Sequence, residues 1–238
     1  MRKVFLTLMV ALIAMNVAAV DLPKQGFGFQ IGWAQPILRL NMPNNPSSAK
    51  DSLTSITKMN GFKVGVVYDA SYVAGFGSTM GINYTFAVSN SGWKSVGFAD
   101  YPRSRQLISY HAVELFVDWQ YKFELAKETY LMLYTGPTIQ CGIAMDMRVD
   151  RRNDIDADIT TAHYSGYNND VPDQSFKRLN ITWGVGAGFQ YQRYFLRGGY
   201  DFGLINPYKN ADFTNGNHTR GRLDQWSIKL GAYLWYED

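Results

Sequence analysis

The charged residues best placed to do chemistry lie on the polar phase of stretches that alternate apolar with small or polar side chains. They are Lys63, Asp69, Glu114, Asp118, Lys122, Arg197, Asp201 and Lys229. Charges enclosed in a narrow, dehydrated interior are costly unless paired. The expectation is therefore an internal salt-bridge network with a structural role, and the competing reading is the lining of a selective pore. A second candidate is the carboxylate run Asp150, Asp154, Asp156 and Asp158, whose alternate spacing could hold Ca²⁺. Ile159 stands where a calcium loop needs its turn glycine, and Arg148, Arg151 and Arg152 would neutralise the acids, so a solvated loop is expected there. Ser109 and His111 share a strand face, as a membrane-embedded lipid hydrolase would need. The chain holds only His111, His163 and His218, and no third partner completes a nucleophile–base–orienter set. The glycines from Gly184 to Gly188 precede no helical pattern, which argues against a nucleotide loop. The reading is therefore no catalytic residue, no cofactor and no metal. The glycosylation-like triplets at Asn83 and Asn180 fall inside predicted strands and are read as chance.

The elements that carry these residues repeat at a period of two, the signature of strands with two different faces. Eight are expected, at residues 26–38, 62–69, 76–88, 108–123, 130–143, 179–192, 195–204 and 223–236. The connections alternate. Residues 70–75, 124–129 and 192–194 are short links, while 41–60, 89–107, 145–177 and 206–222 are long and polar. An up-and-down antiparallel barrel with unlike rims follows. The fold class is all-β, an eight-stranded antiparallel up-and-down transmembrane β-barrel.

Alternation alone does not say which face is inside. In the first strand Phe27, Phe29, Ile31 and Trp33 oppose Gly26, Gly28, Gln30 and Gly32, and in the sixth Trp183, Val185, Phe189 and Tyr191 oppose Gly184, Gly186 and Gly188. A water-facing strand would favour Lys, Glu and Thr over glycine, whereas a crowded lumen favours small residues. The apolar phase is therefore directed at lipid. The fifth strand is apolar on both phases and yields no orientation. Phe27, Phe29, Tyr68, Tyr72, Phe76, Tyr121, Phe123, Tyr130, Tyr191, Tyr194, Phe195, Trp235 and Tyr236 cluster at the short-turn ends, which suits an aromatic girdle at a membrane boundary. Trp93, Phe98, Tyr101, Tyr164 and Tyr167 lie in the long loops among Asn, Ser and Gly, a composition resembling binding surfaces.

Composition agrees. The chain opens Met1-Arg2-Lys3, then an apolar run to Met15 and Asn16-Val17-Ala18-Ala19, the pattern of a secretory signal peptide spanning 1–19, with a single barrel domain over 20–238. Charged residues are 18% and aromatics 15%, fewer charges than soluble domains carry. Losing Arg2 and Lys3 leaves near neutrality, which gives no case for nucleic acid as a partner. Cys141 is the only cysteine, so no intrachain disulfide forms.

The fourth strand, Val113-Glu114-Leu115-Phe116-Val117 leading into Gln120-Tyr121-Lys122-Phe123, resembles the "LEIPL…KYKF" strand of an outer-membrane β-barrel family widespread in Bacteroidota. Tyr134-Thr135-Gly136-Pro137 is similar to that family's Gly-Pro strand. Residues 183–189 and 197–206 resemble its glycine-rich hairpin and "Y..GL.NI" ending. The chain departs from the pattern at Phe116, where proline is usual, and at Glu237-Asp238 after the last aromatic. The resemblance, to PorT-like and OmpX-like eight-stranded barrels, implies fold and an outer-membrane location but no catalytic residue. The expected function is non-enzymatic, a monomeric barrel with a structural or surface-interaction role carried by four extracellular loops. The alternatives are a small-solute transporter or channel, and a component of a secretion or outer-membrane assembly system. The partners implied are outer-membrane lipids, the barrel-insertion machinery and an extracellular or membrane protein.

Overall fold

The period-two segments become long antiparallel strands that close on themselves. The computed structural model describes residues 25–41, 54–73, 75–95, 103–152, 159–167, 176–207 and 220–237. The strands are β1 (Gln25–Asn41), β2 (Thr54–Lys58), β3 (Asn60–Val73), β4 (Phe76–Asn90), β5 (Lys94–Ser95), β6 (Arg103–Ala126), β7 (Thr129–Arg152), β8 (Ile159–Ser165), β9 (Leu179–Tyr191), β10 (Tyr194–Gly203) and β11 (Arg220–Glu237). Around the ring the order is β1, β3, β4, β6, β7, β9, β10 and β11. The last strand pairs with the first from Gln25↔Glu237 to Asn41↔Arg220, so the barrel has no open seam. The signal-peptide segment lies outside the described residues.

Three short strands modify the loop-side rim. β2 extends the β3 line along β1 after an interruption at Met59, whose N–H donates to the Pro36 carbonyl at 2.9 Å. β5 pairs with the start of β6, and β8 pairs with the outer half of β7. The expected loops 89–107 and 145–177 are thus partly sheet. β6 and β7 have 24 residues each, whereas a tilted strand crosses hydrocarbon in about 9–11. Both leave from one short turn, so their excess projects beyond the loop-side rim.

The faces divide as expected. Trp33, Leu115, Val185 and Ile228 are 40%, 50%, 44% and 54% exposed on the outer wall, while Lys63, Glu114, Asp118, Lys122 and Arg197 are buried. A continuous apolar belt of this kind on a water-soluble protein would forfeit about 1.5–3 kcal/mol per Leu, Ile or Val left exposed. β7, ambiguous in the sequence, turns Leu131, Leu133, Ile139 and Ile143 outward and buries Met132, Tyr134, Thr138 and Gln140. The girdle needs correcting at two places. Tyr130 and Phe195 point inward and are buried, Phe195 stacked on Tyr233 with ring centroids 4.8 Å apart. Phe27, Phe29, Tyr72, Phe76, Tyr191, Tyr194 and Trp235 do face outward at the short-turn end.

Candidate functional site

Leu38, Met59, Tyr110, Met145, Tyr167 and Phe176 form an apolar cluster at the loop end of the lumen. Below it a second cluster, Val67, Phe116, Met132, Phe195 and Tyr233, is interleaved with the charges. On β6 Phe116 stands between Glu114 and Asp118, and Lys122 lies opposite Met132 toward the short turns.

β6 acts as the charge ladder, because its inward residues recur every second position. Glu114 meets Lys63 of β3 at 2.6 Å, Asp118 meets Arg197 across the lumen at 2.9 Å, and Lys122 pairs with Asp69 of β3. Asp69 also accepts from Gln120 and from the Tyr233 hydroxyl, the latter at 3.0 Å. Glu114 Oε1 accepts from Thr85 at 2.8 Å, Gln225 at 3.2 Å and Gln140 at 3.4 Å. Aromatic faces take up remaining positive charge. The Arg197 guanidinium lies 4.0 Å above Tyr134, and the Lys229 ammonium 5.2 Å from Phe116. Room for the Tyr134 ring comes from Gly186, where a Cβ would collide with it.

Of the eight charged residues singled out in the sequence, six therefore form three ion pairs. Asp201 and Lys229 join no described ion pair but line the same central space, with Lys63, Glu114 and Asp118. That space is about 10 Å³, room for one water, and the space beneath the loop-end cluster is about 20 Å³. A continuous aqueous path does not pass through such voids. Sequence reasoning did not find the hydrogen-bonding partners Thr85, Gln120, Gln140, Gln225 and Tyr233, although all five occupy inward phases of their strands. Asn83 and Asn180, of the glycosylation-like triplets, are also buried, and their amides engage Gln30 and Gln140 at 2.7 Å each.

The other candidates are placed as follows. Asp150 sits beneath Arg105 and Arg148, which donate to it at 2.6 and 2.7 Å, and accepts from Thr161 at 3.0 Å. These donors hold its carboxyl at about pKa 2, the Arg105 bond contributing most. Both oxygens are taken, so the residue is an arginine acceptor. Asp154, Asp156 and Asp158 lie outside the described residues. His111 sits on the outer wall against Phe86, ring centroids 4.7 Å apart, and its Nδ1 lies 2.6 Å from the Tyr84 hydroxyl. A phenol thus occupies the ring nitrogen that a triad gives to an orienting carboxylate. Among the proposed loop aromatics, Tyr167 is a correction. It is buried in the lumen plug, stacked with Arg178 at 4.8 Å, and unavailable to a partner. Trp93 is exposed beneath Arg105 at 5.0 Å. Phe98, Tyr101 and the side chain of Tyr164 lie outside the described residues.

A closed ring of strands with an apolar exterior and a polar, filled interior is the form in which β-structure crosses a membrane. The protein is a transmembrane β-barrel of the outer-membrane type. No protein-family model and no curated protein matches the chain. Among solved structures it is similar to Ail, the attachment invasion locus protein of Yersinia pestis, at 11% identity over 89% of this chain and 99% of that one, TM-score 0.38. It is also similar to Neisserial surface protein A, at 10% identity over 86% and 96%, TM-score 0.37. The toluene transporter TodX of Pseudomonas putida matches at 8% identity over 87% and 89%, TM-score 0.30. At this level of similarity neither ligands nor partners transfer from those proteins.

Proposed function

We propose that the protein resides in a bacterial outer membrane, with the Bacteroidota barrel family that its strands resemble. It serves there, without catalysis, as a rigid anchor for an extracellular interaction surface. The observation that carries this reading is the contrast between a plugged lumen and an overlong hairpin. Strands β6 and β7 run well past the apolar belt, and β5 and β8 widen them into a projecting four-stranded sheet. A sheet held by main-chain hydrogen bonds presents side chains in fixed positions, and among the described residues the outer edge of β8 is the end of the sheet, with backbone groups for an added strand. The channel reading is disfavoured by the ion pairs and small voids that fill the barrel.

Replacing residues 146–176 by a short turn tests the proposal. The shortened barrel is expected to insert and to keep its heat-dependent gel shift while losing co-purification of surface partners from cross-linked cells. In planar bilayers the full chain is expected to show no steady openings at neutral pH. Sustained conductance would transfer the assignment to a transporter.

A further inference from the structure

Just above the apolar belt the outer wall is basic on the loop side. Lys58 on β2, Arg103 on β6, Arg148 and Arg152 on β7 and Arg222 on β11 are exposed there, all on the outward phase of their strands. Asp146 is the exposed acid at that rim among the described residues. At the short-turn end Glu124 and Glu128 balance Lys127 and Arg193. Asp150 and Asp224 lie on the basic rim but are fully buried, each beneath two arginines: Arg105 and Arg148, and Arg39 and Arg222. They fix the guanidiniums in place without exhausting them. Arg148 gives Asp150 only its Nε, and a guanidinium has five N–H donors.

Beside Arg148 the wall opens into a groove of about 670 Å³ between β4, β6, β7 and β8. Val88 and Leu107 line it together with Arg148 and His163, and Asp146 also borders it, while the side chains of Ile108 and Met147 turn inward to the loop-end cluster. It begins where Val88 and Ile143, the last outward apolar residues of β4 and β7, end the belt on those strands. Such a site offers apolar contact toward hydrocarbon and fixed guanidinium donors toward the headgroups.

We propose that this groove binds a phosphate-bearing lipid of the outer leaflet, its chain along Val88 and Leu107 and its phosphate on Arg148 and His163. Guanidinium and phosphate match in planar, bidentate geometry, and a basic patch at a membrane surface attracts anionic headgroups. The inference rests on the outer-membrane reading.

The test inserts the full-length mature protein into bilayers of a zwitterionic phospholipid doped with a doubly phosphorylated glucosamine-based glycolipid or its dephosphorylated form. Native mass spectrometry then counts the glycolipid retained. The phosphorylated form is expected to be retained preferentially. Arg148→Gln is expected to lower that retention by about fivefold, while Arg193→Gln at the opposite rim leaves it unchanged. Leu107→Trp, which fills the groove without touching charge, is expected to reduce retention also. The heat-dependent gel shift of each variant confirms that its barrel is folded. Equal retention of the two glycolipids, or an indifferent Arg148→Gln, would overturn the proposal. Displacement by excess inorganic phosphate would overturn it in favour of a free-anion site. If retention appeared only after Asp154, Asp156 and Asp158 were changed to Asn, the wall would belong to the chain's own acidic loop, again overturning it. A failure to insert would instead break the membrane reading on which it rests.

Discussion

The lumen and the outer wall both pair aspartate or glutamate with cations, yet they do so under opposite conditions. In the lumen each described pair is buried at both ends, with side-chain exposures of 2% and 0% for Lys63 and Glu114 and 1% and 7% for Arg197 and Asp118. On the wall Asp150 and Asp224 are fully buried but their arginines are 30–47% exposed. Lumen charges meet one another and neutral polar or aromatic side chains instead of bulk water, so acid and base must match. Wall arginines keep contact with water and can outnumber their acids two to one, leaving net positive charge outside. The first arrangement closes a barrel, while the second leaves donors for something else.

The sharpest way to break this contrast is Glu114→Ala. It strands the Lys63 ammonium and removes the acceptor of Thr85, Gln140 and Gln225, at an expected cost of about 3–5 kcal/mol. The urea midpoint of the barrel in micelles reads this directly. Lys63→Met in the same chain should restore much of the loss, because no unpaired charge then remains. A cost near zero for Glu114→Ala would mean that water reaches the middle of the barrel, and the pore reading would return. A smaller effect is expected from Gly186→Leu, whose side chain must displace Tyr134 from beneath Arg197. Overpacking of this kind costs about 1–3 kcal/mol. The same urea titration checks it, and Tyr134→Ala in that background should recover part of the loss.

Most of the barrel was legible because one physical condition, lipid on one side and a crowded lumen on the other, acts at every second residue. Phe29, Ile31 and Trp33 against Gly28, Gln30 and Gly32 express it without help from neighbouring strands. β7 was not legible for the opposite reason. Met132 and Tyr134 are as apolar as Leu131 and Leu133, and they turn inward because the ring register sets them opposite Gly188 and Gly186, which leave space. The projecting sheet was missed because β8 is held by pairing with the outer end of β7, a contact that local composition does not announce. In the lumen the charges could be named but their pairings could not, since Arg197 reaches across the barrel to a residue 79 positions away. On the wall Asp150 was visible but read as part of a solvated loop, whereas it is buried on β7. The partner that decides its role, Arg105, sits 45 positions earlier.

The wall half of the comparison predicts the smallest effect, and one whose sign is set by Asp150. Its folded carboxyl titrates at about 2, below the value near 3.9 of an unfolded aspartate. A depressed acid contributes stability that is complete above about pH 4 and is lost as the pH falls through about 2. The projecting sheet is therefore expected to loosen over that window, read as a rise in protease cleavage within residues 145–165 by an acid-tolerant protease. Asp150→Asn should flatten this dependence and leave the urea midpoint of the barrel nearly unchanged. Salt separates the two regions further. At about 1 M the screening length falls to roughly 3 Å, which weakens the attraction of half-exposed Arg148 and Arg105 for Asp150. It leaves the Lys63–Glu114 pair untouched, because mobile ions do not enter a void that holds a single water. High salt should therefore reproduce the Asp150→Asn phenotype in the sheet and none of the Glu114→Ala phenotype in the barrel. If salt moved both together, the lumen would have to be open to ions.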